Sequence, residues 1–187
     1  VFVTGITTGG LVPPSKLPSL VKEVFSNYKQ IRAVNGRLLE RLRTRQRVSP
    51  VVDVIGDVFV EMADDFSKPY VGYAWCLPVA KLRLRHERKR NTRLARILTD
   101  MRRRPETRKL PIDSFLCAPT LRLGHYPLLL EMLFSETPKD HPDHIFIPQA
   151  VATFKEILNR VNTVIGKATD RLIWEQVVLN IDALGLL

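Results

Sequence analysis

Residues 105–131 read PETRKLPIDSFLCAPTLRLGHYPLLLE and carry the most information about the architecture of this chain. A basic–apolar step, Arg108-Lys109-Leu110, leads into a helical pattern that contains Pro119 and Pro127. Proline removes a backbone donor and kinks or breaks a helix. We therefore interpret the segment as a helix shaped for docking. Its apolar residues at helical spacing are Phe115, Leu116, Leu123, Leu129, Leu130 and Leu133.

Apolar residues recur at helical spacing along the rest of the chain as well. Neither an alternating strand pattern nor a repeat of 20–50 residues is visible. The predicted fold class is therefore all-α, an elongated bundle of long helices. The expected segments are a loop at residues 1–10 and helices from Pro18 to about Val48, from Ser49-Pro50, from Ser67-Lys68-Pro69 to about Arg103, from Ile112 to Thr137 and from about Ile147 onward.

Length and composition are those of one domain with a substantial core, since 45% of the 187 residues are hydrophobic. Cys76 and Cys117 lie far apart, which favours a reduced, cytoplasmic protein. No signal peptide or membrane-length apolar run is visible, and peripheral attachment at the plasma membrane through domains outside the chain stays open. We interpret Trp75 and Trp174 as core residues. Because the chain begins at Val1, we expect it to be a fragment.

The net charge of +10 is concentrated in one segment. Between Lys81 and Lys109 stand thirteen Lys or Arg and three acidic residues, a difference equal to the net charge of the whole chain. We favour a solvated helix face, with an anionic membrane surface or nucleic acid as alternative partners. Sequence-selective binding of nucleic acid is not expected, because no aromatic residue lies in this segment to stack on bases.

Patterns typical of catalysis or metal binding are weak. No Gly-Lys-Ser/Thr follows Gly9-Gly10, so a phosphate loop is not indicated. His141 and His144 are separated by a proline and have no nearby cysteine, which favours a surface turn over a metal site. The adjacent residues Asp64-Asp65 would point apart on a helix. We expect no catalytic residue, no metal and no cofactor.

Three segments together resemble a known family. They are RLRTRQRVSPVVDVIGDVFVEMADDF (41–66), RRRPETRKLPIDSFLCAPTLRLGHYPLLLEMLFSETPKDHPD (102–143) and IPQAVATFKEILNRVNTVIGKATDRL (147–172). They are similar to the second and third conserved regions and the last core helix of a Dbl homology domain, most of all in fungal Rho-directed members. The resemblance covers residues 11–172, and we expect residues 1–187 to form a single such domain.

The resemblance implies a guanine nucleotide exchange factor for a Rho-family small GTPase. Such a domain makes and breaks no bonds. It binds the switch regions of the GTPase in its GDP-bound or nucleotide-free form and promotes GDP release, which is preferential binding of one conformational state. The alternatives are a degenerate scaffold that binds a GTPase without exchange, and a basic helical module for anionic membrane or nucleic acid.

The resemblance assigns the first group of candidate GTPase-binding residues to the segment quoted at the outset. Lys109 and Leu110 match a family position that faces the β2–β3 hairpin of the GTPase. Cys117 and Leu121 match positions that help to choose between Rho-like and Rac-like partners. A small buried residue at Cys117 and a core residue at Leu121 are the structural alternatives.

The second group of candidates is expected at switch II. Arg122 is expected to structure this surface or to contact switch II. His125 stands where the family usually has Arg or Lys, and a histidine is only partly charged near neutral pH. Asn162 matches an Asn that reaches switch II, with a hydrogen bond inside the bundle as its alternative.

The N-terminal end departs from the family pattern. The first conserved helix carries a Glu that grips switch I, and Val1-Phe2 resembles only the end of that helix. We expect its absence to leave apolar residues such as Val24 and Ile31 uncovered. The pleckstrin homology domain expected after Leu187 is also outside the chain.

Overall fold

Helices form all the regular secondary structure in residues 2–8 and 17–183, which the computed structural model describes. The predicted all-α class is confirmed. The helix predicted for residues 112–137 is found with one residue fewer. The helices are α1 (Phe2–Thr8), α2 (Leu17–Phe25), α3 (Tyr28–Val48), α4 (Gly56–Arg90), α5 (Thr92–Arg102), α6 (Ile112–Glu136) and α7 (Asp143–Ala183), with a 3-10 turn at Pro105–Thr107.

The chain divides into two compact units. Helices α4, α6 and α7 contribute residues to both. Among the described residues, the first unit comprises residues 2–8, 17–26, 74–118 and 163–183, and the second unit comprises residues 27–73 and 119–162.

An aromatic cluster forms the centre of the second unit. The ring of Phe66 lies 5.6 Å from that of Tyr70, 5.5 Å from that of Tyr126 and 5.3 Å from that of Phe154. Phe59 adds edge contacts to Tyr126 and Phe154. All of these side chains are buried. Edge-to-face packing of this kind adds to the stabilisation that burial provides.

Asn35 of α3 satisfies the polar atoms in this aromatic core. The Tyr126 hydroxyl donates to Asn35 Oδ1 at 2.7 Å. Asn35 Nδ2 donates to the Tyr70 hydroxyl at 2.9 Å and to the carbonyl of Ile31 at 2.7 Å. Three helices, α3, α4 and α6, are thus joined by one amide inside an apolar core, where an unpaired hydroxyl would be destabilising.

Tyr70 makes the stability of the second unit sensitive to alkaline pH. Burial raises the pKa of its hydroxyl to about 12, although the hydrogen bond with Asn35 acts in the opposite direction. Since the raised pKa belongs to the folded state, the neutral hydroxyl stabilises the fold below about pH 10, and this contribution is lost as the pH rises towards 12.

Urea unfolding of wild type and Tyr70→Phe between pH 7 and pH 12 tests this effect. We expect wild type to lose up to about 3 kcal/mol more of its free energy of unfolding than Tyr70→Phe above pH 10, because only wild type has this buried proton to lose. Parallel curves for the two proteins would contradict the prediction.

The N-terminus of α4 is capped from a distant part of the chain. The buried carboxylate of Asp143 accepts hydrogen bonds from the backbone N–H groups of Ile55, at 3.0 Å, and Gly56, at 2.7 Å. A carboxylate is stabilising here because the first N–H groups of a helix lack intrahelical partners. The helix start predicted at Ser49-Pro50 is wrong, since residues 49–55 are not helical.

An arginine fork holds the segment just before α4. Arg45 Nη1 and Nη2 lie 2.6 Å and 2.5 Å from the two carboxylate oxygens of Asp57, and Nη1 also donates to the carbonyl of Val54. The hydrogen bonds from Arg45 hold the pKa of Asp57 below its usual range, against the effect of partial burial. The fork joins the last turn of α3 to the first turn of α4.

Further predicted helix boundaries differ from those observed. The helix predicted from Pro18 to Val48 is broken after α2, where Ser26 has a left-handed φ of 45°. The predicted restart at Pro69 does not occur, because α4 continues through this residue to Arg90. The chain breaks instead at Asn91, whose side chain caps α5 by accepting from the N–H of Leu94 at 2.9 Å.

Residues Phe2–Thr8 were expected in a loop but form α1. Phe2 packs against Phe115 with ring centroids 5.2 Å apart, and Ile6 is buried. A Cβ atom at Gly5 would stand 1.8 Å from Cε of Met101, so glycine allows α1 to approach α5. Tertiary packing in the first unit thus overrides the weak helix propensity of this segment. The end of the predicted loop, Gly9-Gly10, lies outside the described residues.

The structure also corrects several burial predictions. Val24 and Ile31, expected to be uncovered, are buried. Trp75 and Trp174, expected in the core, are 45% and 68% exposed. Both tryptophans stand on helix stretches with apolar residues on several sides, so the residue type alone did not identify the face that packs.

Candidate functional site

Lys109 and Leu110 lie in the short loop between the 3-10 turn and α6, in the first unit. Arg108 and Lys109 both have left-handed backbones, with φ of 48° and 60°. This is an uncommon conformation for residues with a Cβ atom. The side chains of Lys109 and Leu110 are both exposed, although Leu110 is a large apolar residue. The loop therefore presents a cation and an apolar group to solvent.

Backbone hydrogen bonds hold this loop in place. The Lys109 carbonyl accepts from Nε of Arg102 at 2.6 Å, and the Leu110 N–H donates to the carbonyl of Thr107 at 2.8 Å. The buried Thr107 hydroxyl lies within hydrogen-bond distance of the carbonyls of Met101, Arg102 and Arg104. Left-handed residues at a well-anchored surface loop are typical of functional sites.

Cys117 is the remaining candidate in the first unit. It is half-buried on α6, between the fully buried and the exposed positions of that helix. Neither it nor Cys76 forms a disulfide within the part of the chain described.

In the second unit, α6 exposes an apolar stripe on which two candidates lie. Leu121 is 60% exposed, so its interpretation as a core residue is wrong. His125 is exposed one turn further on. Leu128 and Met132 continue the stripe and are 60% and 69% exposed. The sequence pattern did not single out Leu128 and Met132, because leucines fill almost every side of this helix and periodicity alone does not distinguish its faces.

The apolar side predicted for α6 is only partly buried. Leu116, Leu123 and Leu130 are buried as expected. Phe115, Leu129 and Leu133, which were expected to line the same side, are exposed.

Arg122 lies beside this stripe, over the aromatic core. Its guanidinium carbon is 4.9 Å from the ring centroid of Tyr126, a cation–π distance. No carboxylate of the described residues lies within ion-pair distance of Arg122. Arg122 also lines an apolar groove of about 380 Å³ between α3 and α6. The other residues of the groove are Asn35, Leu38, Leu39, Leu42, Ile55, Phe59, Tyr126, Leu129, Leu130 and Leu133.

Asn162 points away from the core of the second unit. The neighbouring Val161 is fully buried, whereas Asn162 is exposed. The Asn162 side chain has no hydrogen-bond partner among the described residues, so the alternative of a hydrogen bond inside the bundle is wrong. Its amide is thus available, with two donors and one acceptor oxygen, for an external partner.

The candidates fall into two groups. The first unit holds Lys109, Leu110 and Cys117, and the second unit holds Leu121, Arg122, His125 and Asn162.

His141 and His144, which flank the start of α7, have structural roles. His141 Nε2 lies 3.1 Å from Asp53 Oδ1, and His144 Nε2 lies 2.9 Å from the carbonyl of Thr137. Among residues 2–8 and 17–183, no cluster of three or more His, Cys, Asp or Glu side chains has a geometry suited to a metal ion. No helix in the same part of the chain is long and apolar enough to span a bilayer.

A comparison with protein families identifies the domain type. The RhoGEF domain family matches residues 9–162, a range that includes the segments 41–66 and 102–143 quoted above. The chain belongs to the RhoGEF domain family. Every candidate residue lies within the matched range.

Fungal proteins are among the relatives of this RhoGEF domain. It is 34% identical over 171 residues to Rho1 guanine nucleotide exchange factor 2 of Schizosaccharomyces pombe, covering 91% of this chain and 15% of the relative. It is also 34% identical over 172 residues to RHO1 GDP-GTP exchange protein 2 of Saccharomyces cerevisiae, covering 91% of this chain and 12% of the relative. The chain thus spans a small part of the length of these relatives.

Solved structures show the same fold. The RhoGEF domain superposes with a TM-score of 0.82 on the DH/PH domains of PDZ-RhoGEF, solved in complex with activated RhoA. The match covers 94% of this chain and 49% of the other chain, with 18% identity. At this identity the likeness establishes the fold, which agrees with the Dbl homology fold expected from the sequence.

Proposed function

We propose that this domain is a guanine nucleotide exchange factor for a Rho-family small GTPase. The observation that carries the proposal is the RhoGEF domain match over residues 9–162. It is supported by the exposure of Lys109, Leu110, Leu121 and Asn162, which the family resemblance proposes as GTPase-binding residues. In this proposal, residues 1–187 are a single Dbl homology domain that acts in the cytoplasm.

The proposed mechanism is preferential binding rather than bond chemistry. The exposed stripe of Leu121, His125, Leu128 and Met132 offers apolar area to the switch regions, and Asn162 offers an unpaired amide. Contacts that form best with the nucleotide-free GTPase stabilise that state and so lower the barrier to GDP release. The domain then needs no general acid, nucleophile or metal of its own.

The test of this mechanism is a comparison of GTPase states. We expect the full-length protein to bind a nucleotide-free Rho-family GTPase about 100-fold more tightly than the same GTPase loaded with GDP and magnesium. Equal affinities for the two states would indicate a scaffold without exchange activity, and would contradict the proposal.

Lys109 offers a specific prediction about charge. We expect Lys109→Glu to weaken GTPase binding about 10-fold at low salt and by about 2-fold or less at 0.5 M salt, because an exposed charge acts over distances that salt screens. Lys139→Glu is the matched control, because Lys139 is also an exposed lysine in another loop. Equal affinity of wild type and Lys109→Glu at low ionic strength would refute the role of this residue.

A second candidate function is supported by the unpaired cations of the first unit. Arg85, Lys89, Arg90, Arg93 and Arg96 are exposed, and within the described part of the chain none lies within ion-pair distance of an acidic residue. Such a surface attracts an anionic membrane, at about 1 kcal/mol for each basic residue near the lipid.

Other cations between Lys81 and Lys109 form ion pairs. Arg83 lies between Glu23, at 3.2 Å, and Glu87, at 3.3 Å, and Arg88 lies 3.1 Å from Asp113. These arginines are therefore unsuitable for testing the membrane surface.

Charge reversal distinguishes a membrane surface from a solvated face. We expect the triple variant Arg85→Glu, Arg90→Glu, Arg93→Glu to abolish sedimentation with vesicles that contain phosphatidylserine, and to leave exchange in solution unchanged. Reversal of Arg32, Arg43 and Lys68, exposed residues of the second unit, changes the net charge equally and serves as the control. Equal loss of vesicle binding in both triple variants would show a non-specific charge effect and refute the assignment.

A further inference from the structure

We infer that Asn35 is a positioning residue for nucleotide exchange, and that it acts on Arg122 through Tyr126. The inference rests on the proposed function, in which α6 of the second unit contacts the GTPase. It adds a residue from α3 that neither the sequence patterns nor the family resemblance singled out.

A continuous chain of contacts joins Asn35 to Arg122. Asn35 Oδ1 accepts the Tyr126 hydroxyl at 2.7 Å, and the Tyr126 ring lies under the Arg122 guanidinium at 4.9 Å. Asn35 is itself held by two donations, to the Tyr70 hydroxyl and to the Ile31 carbonyl. Every contact lies within the second unit.

Arg122 depends on the Tyr126 ring for its position. No acidic residue of the described chain pairs with it, and the groove beside it is apolar. A long exposed side chain without a fixed partner samples many rotamers, and ordering it on binding opposes association. A fixed aromatic face beneath the guanidinium reduces the number of those rotamers in advance.

Asn35 in turn fixes the far end of the Tyr126 side chain. The ring packs against Phe59, Phe66 and Phe154, and its hydroxyl reaches Asn35 of α3. Without this acceptor the hydroxyl would lose its hydrogen bond, and the whole side chain would shift to regain one from water.

An amide is the side chain that fits this position. It accepts from Tyr126 and donates to Tyr70 and Ile31 at the same time. A carboxylate lacks the two donors, and an aliphatic side chain lacks the acceptor as well. Asn35 is half-buried, so solvent replaces these bonds only in part.

The test is a double-mutant cycle on exchange catalysed by the full-length protein. We expect Arg122→Ala to slow exchange about 10-fold and Asn35→Ala to slow it about 5-fold. In the double variant we expect exchange to slow about 10-fold, rather than by the product of the two single effects, which is about 50-fold. Asn35 has no further effect once Arg122 is absent.

Stability is measured beside exchange, because Asn35→Ala also removes a buried hydrogen-bond partner. Urea midpoints verify that each variant is folded under the assay conditions. Tyr126→Phe is the second variant, since it keeps the ring and removes the hydroxyl alone. We expect Tyr126→Phe to slow exchange about 3-fold in the wild-type background and to have no further effect in the Arg122→Ala background.

Two results would overturn the inference. Multiplicative losses in the double variants would show that Asn35 and Tyr126 affect exchange independently of Arg122, and unchanged exchange in both Asn35→Ala and Tyr126→Phe would show that the network has no role. Failure of the wild-type protein to release GDP from any Rho-family GTPase would instead overturn the proposed function, and the inference with it.

Discussion

Replacement of Asn162 by alanine is expected to slow GDP release from the GTPase by about 5- to 100-fold, the loss of one hydrogen bond in a desolvated interface. The fold should stay intact, because the Asn162 side chain is exposed and bonds to none of the described residues. Stopped-flow release of a fluorescent GDP analogue measures the rate, and thermal unfolding measures the fold.

Gln149→Ala is the matched control for this prediction. Gln149 is an exposed amide on the same helix and in the same unit. We expect it to leave both the rate and the melting temperature unchanged. An Asn162→Ala variant as fast as wild type would remove Asn162 from the proposed interface, whereas a large fall in melting temperature would show that it stabilises the fold.

Replacement of Gly56 by alanine is expected to lower the free energy of unfolding by about 3 kcal/mol or more. A Cβ atom at Gly56 would stand 2.6 Å from Oδ1 of Asp143 and 2.8 Å from Cβ of Phe146. The Phe146 Cβ is fixed to the backbone and moves little. The methyl group would therefore displace α7 from the start of α4 and weaken the cap that Asp143 provides.

Gly36→Ala is the control for Gly56→Ala. Gly36 lies inside α3 with nothing within 4 Å of the added Cβ, so alanine should stabilise the protein by about 0.5–1 kcal/mol. Urea unfolding measures both variants. Equal effects of the two substitutions would contradict the steric explanation for Gly56.

The boundaries of α6 and α4 show where the local sequence is informative. Helix α6 was predicted to within one residue, because Lys109–Pro111 gives a clear connector before it and apolar spacing continues through Pro119 and Pro127. The start of α4 was wrong by six residues, since its cap comes from Asp143, 87 residues after Gly56. Contacts across that separation leave no periodic signal in the sequence.

The candidate residues rest on the family resemblance and stay predictions, and their surroundings were not predictable from the sequence. The resemblance proposed Leu121 and Asn162, and the structure adds that both are exposed. The exposure of Leu128 and Met132 and the Asn35–Tyr126 contact depend on how α3, α4 and α6 pack. Helix periodicity contains too little information to fix that packing, because α6 is apolar on most of its sides.

Release of labelled GDP from purified Rho, Rac and related GTPases by the full-length protein tests the proposed exchange activity most directly. We expect release from at least one of them to accelerate, and Asn162→Ala and Lys109→Glu each to reduce this acceleration at low salt. Release at the uncatalysed rate from all of them would refute the proposed activity, and an acceleration that neither substitution affects would refute the proposed site.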